Sequence, residues 1–243
     1  MKKVKRVGER YTTKEGYMIE VVEYFNANNC AIEFKNGLII KNLTFGNIKK
    51  GEVKNPYRLS VYNMGYVGIG KYGSKSHIKI YENWHNLLRR CYDKKRQEKT
   101  LTYKDCFVDK RWHNFQNFAE WYDENYIESW QLDKDILFKG NKIYSPETCC
   151  FVPQEINKLF TKRQNKRGDL PIGVSKKGLK FISIFTTDNK TTYLGTFNTP
   201  EEAFESYKIA KEEYIKKVVD KWKSQITQQT YQALINYQVE ITD

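Results

Sequence analysis

The chain predicts an α+β protein with a small N-terminal antiparallel β domain, a helical centre holding a ββα core, and a C-terminal three-stranded sheet plus helix. Three observations carry this prediction. Residues 16–42 hold apolar runs alternating at period two on either side of Asn36-Gly37. From Lys79 the pattern changes to helical spacing. Residues 173–222 read strand, turn, strand, helix. The shifts between these patterns divide the chain into residues 1–55, 56–165 and 166–243.

Taken in order, GYMIEVVEYF, CAIEF and LIIKNLTF read as strands, and Asn-Gly between alternating apolar runs is the strongest short-range hairpin signal. A small antiparallel sheet is expected over about residues 8–50. Residues 56–75 are rich in Gly and Tyr and read as an irregular connector. Ile80, Trp84, Leu87, Leu88 and Cys91 then recur on one helical face, as do Trp112, Phe115, Phe118, Ala119 and Tyr122 in a second helix. These aromatics suit a core better than a base-stacking platform, whose rings stand isolated among basic residues. Next come a strand at 131–138, a turn at Lys139-Gly140-Asn141, a strand at 148–152 and a helix from Pro153. After a basic link at 161–169 the run GVSKKGLKFISIF reads as strand, Asp188-Asn189 as turn and TTYLGTF as strand. Thr199, ahead of Pro200-Glu201-Glu202, starts a long helix with a capping hydroxyl, a first-turn Pro and acids at the positive dipole end. Residues 223–243 form a weakly amphipathic tail.

Forty-two Lys and Arg against 29 Asp and Glu leave a net charge of +13, which suits a polyanionic partner. No apolar run approaches the ~20 residues of a membrane span, and the N-terminus lacks a signal-peptide core. The five cysteines are odd in number and form no CxxC, so a reducing cytosol is expected, without a disulfide framework or structural zinc. Cys149 and Cys150 read as packed strand residues.

The segment Leu132–Leu159 carries Asp133, the turn Gly140-Asn141-Lys142, then Pro146-Glu147-Thr148-Cys149, Phe151-Val152 and Asn157. It resembles the core of phage HNH-type (ββα-metal) homing endonucleases. Such cores read DH, a GNK turn, PENLxWVT and a helical Asn. Here Lys134, or Asp135 after a register slip, stands where the family has its general-base histidine, and Thr148 stands where it has a supporting Asn. The resemblance implies Asp133 and Asn157 as ligands of Mg²⁺ (or Mn²⁺), hard oxygen donors suiting a hard cation. A lysine with pKa ~10.4 is protonated at neutral pH and cannot serve as an ordinary base. Asp135 would then bind metal or orient water, with Lys134 steadying phosphate charge. His77, His85 and His113 lie outside the segment, the last two in predicted helices.

Gly173-Val174, Tyr193-Leu194-Gly195-Thr196-Phe197, Thr199, Glu201-Glu202-Ala203-Phe204 and Tyr207 form a second pattern. Over about residues 167–216 it resembles the Apetala/ethylene-response-factor DNA-binding domain, whose three-stranded sheet lies in the major groove. The basic residues crowded between Thr161 and Tyr193 agree with it, and Arg163, Arg167, Lys176, Lys177, Lys180 and Lys190 are the candidate DNA contacts among them. With Phe181 and Ile184 taken as inward, Ser183 and Phe185 join Lys180 on the DNA side. A slip of one residue exchanges the faces.

Three functions follow. One is a cytosolic double-stranded DNA endonuclease of the phage homing type. Another is a catalytically inactive DNA-binding regulator or anti-defence factor on the same scaffold. The third is an RNA-binding protein or protein-interaction adaptor.

Overall fold

The computed structural model describes residues 6–100, 103–160, 170–187 and 190–241. It is an α+β protein that divides into two compact units, residues 1–60 with 66–69, and residues 61–65 with 70–243. Among the described residues no helix is long and apolar enough to cross a membrane.

The first unit is a four-stranded antiparallel meander in the order β1-β2-β3-β4. Its strands are β1 (Arg10–Thr12), β2 (Met18–Asn26), β3 (Asn29–Phe34) and β4 (Ile39–Leu43). The alternation read from the sequence is what packs: Ile19 and Val21 of β2 meet Cys30, Ile32 and Phe34 of β3 in one core. Asn36-Gly37 joins β3 to β4, and Gly37 takes φ +84°, a left-handed conformation that glycine adopts without strain. A helix missed in the sequence, α1 (Phe45–Lys49), adds Ile48 to this core. At five residues it is too short to show a period.

In the second unit, α2 (Ile78–Tyr92) buries Ile80, Trp84, Leu87, Leu88 and Cys91, the five residues its spacing selects. α3 (Lys94–Lys99) follows directly, started by the Asp93 side chain. Trp112 closes a 3₁₀ turn (Lys110–His113), and α4 (Phe115–Asn125) buries Phe115, Phe118, Ala119 and Tyr122. The indole N–H of Trp84 donates to the Trp112 carbonyl at 2.7 Å, locking α2 to the start of α4. These aromatics are core.

β5 (Phe107–Val108) pairs in parallel with β7 (Ile143–Tyr144), while β6 (Gln131–Asp133) pairs antiparallel with β8 (Cys150–Val152). α5 (Gln154–Leu159) follows β8, completing a β6–β8–α5 element. The C-terminal sheet has the order β11-β10-β9, built from β9 (Val174–Lys177), β10 (Lys180–Thr187) and β11 (Lys190–Phe197). The run expected as one strand therefore folds back at Gly178-Leu179. The Asp188-Asn189 turn lies outside the described residues.

Beneath the sheet runs α6 (Pro200–Trp222). Thr199 and Glu202 form a reciprocal capping box at its start, in which Thr199 Oγ1 accepts the Glu202 N–H at 3.2 Å. The tail, unreadable in the sequence, folds as α7 (Gln228–Ile235), held to α6 by the Tyr231 hydroxyl donating to Asp220 at 2.8 Å. One core runs from Ile136, Val152 and Ile156 through Val174, Phe185 and Tyr207 to Leu234 and Val239. The ββα element and the C-terminal sheet are thus packed on common apolar ground. Glu155 of α5 reinforces the join, accepting from Lys221 Nζ and Trp222 Nε1, each at 2.8 Å.

Candidate nucleic-acid interface

Two places receive the residues singled out in the sequence. The first is the β6–β8 loop. Asp133 ends β6, and its Oδ1 accepts the backbone N–H of Asp135 at 2.7 Å and of Ile136 at 3.0 Å. That side chain bends the main chain into a turn, so the strand stops at 133 instead of the expected 138. Burial pushes the Asp133 carboxyl above the ordinary aspartate range, against the opposing pull of these N–H groups and of Lys134.

Lys134 is only 6 % exposed. Its ammonium donates to Asp135 Oδ1 and to the Asn141 carbonyl, both at 2.6 Å, and faces the Tyr144 ring. The role expected for it, steadying a phosphate, therefore meets a buried and doubly bonded group. Asp135 is its exposed counterion. Asn141 clamps the same loop, donating to the carbonyls of Lys134 and Ile143. Thr148 Oγ1 donates to the Ile143 carbonyl at 2.7 Å and accepts from Ser145 N–H. Asn157 lies half-buried on α5.

Among the described residues no group of three or more His, Cys, Asp or Glu is arranged to hold a metal. Asp133 and Asn157 are the two hard oxygen donors that would hold Mg²⁺, and Asp133 Oδ1 already accepts two backbone N–H groups. None of the three histidines lies within the β6–β8–α5 element. Burial holds His85 and His113 below the usual histidine range, and His113 packs by Val108 and Tyr92. His77 Nδ1 accepts from the Gly73 N–H ahead of α2. Burial raises the Cys149 and Cys150 thiols; Cys150 opens β8 as expected, while Cys149 is buried just ahead of the strand.

The second place is the C-terminal sheet. β10 pairs Phe181 with Phe197, Ile182 with Thr196 and Ser183 with Gly195; after a bulge at Leu194 it pairs Ile184 with Tyr193 and Thr186 with Thr191. Against β9, Lys180 pairs with Lys177 and Ile182 with Ser175. The outer face therefore carries Ser175 and Lys177, then Lys180, Ile182, Ile184 and Thr186, then Thr191, Tyr193 and Thr196. The inner face carries Val174, Phe181, Ser183 and Phe185 toward α6.

This corrects the expected DNA side at two residues. Ser183 is 0 % exposed, and Phe185, 9 % exposed, packs edge-on against Tyr207 and Tyr214. Ile184, expected inward, is on the outer face. The cause is a run, Phe181-Ile182-Ser183-Ile184-Phe185, that is nearly apolar at both parities, so alternation cannot choose a face. Lys177 and Lys180 do lie on the outer face, exposed. Lys176 and Lys190 are exposed at strand ends with the parity of the inner face. Arg163 and Arg167 lie outside the described residues. The sequence missed Tyr193, Thr186, Thr191 and Thr196 as face residues, although the period-two spacing of Thr191 and Tyr193 was a usable signal.

Ser183 tests the correction. Its hydroxyl is buried without a hydrogen-bond partner, beside Val174 and opposite Gly195. Ser183→Ala removes an unsatisfied polar group and is expected to raise stability by about 1 kcal/mol in urea unfolding. Binding to duplex DNA should be unchanged. A loss of affinity with no gain in stability would return Ser183 to the DNA side.

No family model, curated protein or solved structure matches the chain.

Proposed function

We propose that this chain binds double-stranded DNA through the outer face of its C-terminal sheet, with the ββα element acting as scaffold. The observation that carries this is the cross-strand pair Lys177–Lys180, two exposed ammonium groups side by side with no acidic partner among the described residues. Like charges directly opposite each other destabilise an isolated sheet, and a phosphate backbone turns that cost into an attraction. Further along the same face the hydroxyls pair as Thr186 with Thr191 and Tyr193 with Thr196, and their remaining donor and acceptor capacity can meet phosphates and base edges. A sheet face of this kind fits a duplex groove, and a net charge of +13 supports the association. Lysine in place of arginine favours backbone tracking over bidentate guanine reading. The cytosol suits such a role.

Fluorescence anisotropy on a random-sequence duplex tests it. Lys177→Glu with Lys180→Glu is expected to weaken binding at least tenfold and to flatten the salt dependence by about two units, one for each lost phosphate contact. An unchanged affinity and slope would overturn the assignment of this face.

Phosphodiester cleavage by the ββα element is the alternative reading to a scaffold. The order β6–β8–α5, with Asp133 ending the first strand and Asn157 on the helix, supports it. Supercoiled plasmid with Mg²⁺, Mn²⁺ or EDTA separates the two. Metal-dependent nicking that is lost in Asp133→Ala establishes a nuclease. Binding indifferent to EDTA, with no nicking, leaves the scaffold role.

A further inference from the structure

Leu179 is 96 % exposed, and the next most exposed large apolar side chain among the described residues, Phe25, reaches only 69 %. It sits at the tip of the two-residue turn that joins β9 to β10. Gly178 takes φ +63° in the first position of that turn, while Leu179 is not among the positive-φ residues, the arrangement of a II′ turn. That turn requires glycine first and imposes no apolar residue second, so the fold gives no reason for a leucine. Its flanks are Lys177 and Lys180, paired across the strands, and the hairpin base is held in the core by Val174. An apolar tip is thus presented on a stiff ribbon between two cations.

Resting on the DNA-binding role above, we propose that Leu179 is a wedge. The two lysines seat the hairpin on phosphates, and the leucine inserts at a base step and partly unstacks it. Apolar residues of minor-groove-binding proteins kink duplexes in this way, and the cost of unstacking is least at flexible or mismatched steps. Binding should therefore bend the duplex and favour a duplex already weakened at one step. The flanking lysines distinguish this partner from an apolar protein surface, which would leave both charges desolvated and unpaired. An anionic bilayer would satisfy the same chemistry and is separated by experiment.

The test uses the full chain and three probes: a duplex containing 2-aminopurine with end-labelled fluorophores, the same duplex with one mismatch, and vesicles of anionic phospholipid. The wild type is expected to raise 2-aminopurine fluorescence, shorten the end-to-end distance, and prefer the mismatched duplex about tenfold. Leu179→Ser, at an exposed position that leaves the sheet intact, should keep the salt dependence but lose the fluorescence rise and the preference. Leu179→Phe should restore both. If Leu179→Ser matches the wild type on both duplexes, the wedge is overturned while DNA binding stands. Absence of any duplex binding by the wild type overturns both. Leu179-dependent capture by vesicles without a change in 2-aminopurine overturns the wedge in favour of a membrane surface.

Discussion

Trp84→Ala is expected to unfold the larger unit or bring it close to unfolding. The indole is fully buried, its N–H is bonded to the Trp112 carbonyl, and its ring lies 5.3 Å from that of Phe115. Deleting a ring of this size from a packed core costs about 3–5 kcal/mol. The carbonyl left without its donor adds about 1–3 kcal/mol, which together is comparable with the 5–15 kcal/mol that holds a typical domain folded. Trp84→Phe keeps most of the volume and forfeits the hydrogen bond, so it should cost less than half as much. Urea unfolding followed by circular dichroism reads the difference. A Trp84→Ala midpoint near that of the wild type would mean that α2 does not depend on this anchor.

Gly173→Ala is the second large effect. Gly173 takes φ +76°, and a methyl group added there falls inside the ring of Tyr207, a buried residue of α6. The side chain cannot swing away cheaply, because the same ring packs against Phe185. Backbone strain of about 1–2 kcal/mol and a forced displacement of a core aromatic combine to a cost of about 3 kcal/mol or more. Losing the seat of the sheet on α6 should remove duplex binding as well. Gly178→Ala is the control, since its φ is also positive at +63° but open space surrounds it. It should carry the backbone strain of about 1–2 kcal/mol without the clash. If the two variants unfold alike, packing against Tyr207 is not what requires glycine at 173.

Gly173 and Tyr207 also mark how far the sequence could be followed. Both belong to the pattern that suggested a sheet seated on a helix, and the structure has Tyr207 against the backbone of Gly173, where only a residue without a side chain fits. The α2 face, the Asn36-Gly37 hairpin and the Thr199 cap were legible for a related reason: each depends on residues within a few positions of one another. The candidate site was less legible. Lys134 read as chemistry because its burial, and its pairing with the exposed Asp135, are invisible in a linear string. Whether that ammonium is available depends on Asn141 and Thr148 closing the loop around it, and on Tyr144 beneath it.

The sequence by itself determined the α+β class, the apolar faces of the helices, the order of the ββα element and the basic character of residues 161–193. Periodicity, capping and charge settle these through local contacts. The tertiary structure decided which face of β10 looks outward, because Ile182 and Ile184 are as apolar as Phe181 and Phe185 and only the fit on α6 and the bulge at Leu194 break the tie. It also decided that the tail belongs to the core, where Leu234 and Val239 find apolar partners absent from their own segment. Local physics fixes what an element is. Which of its sides is buried is a property of what it packs against.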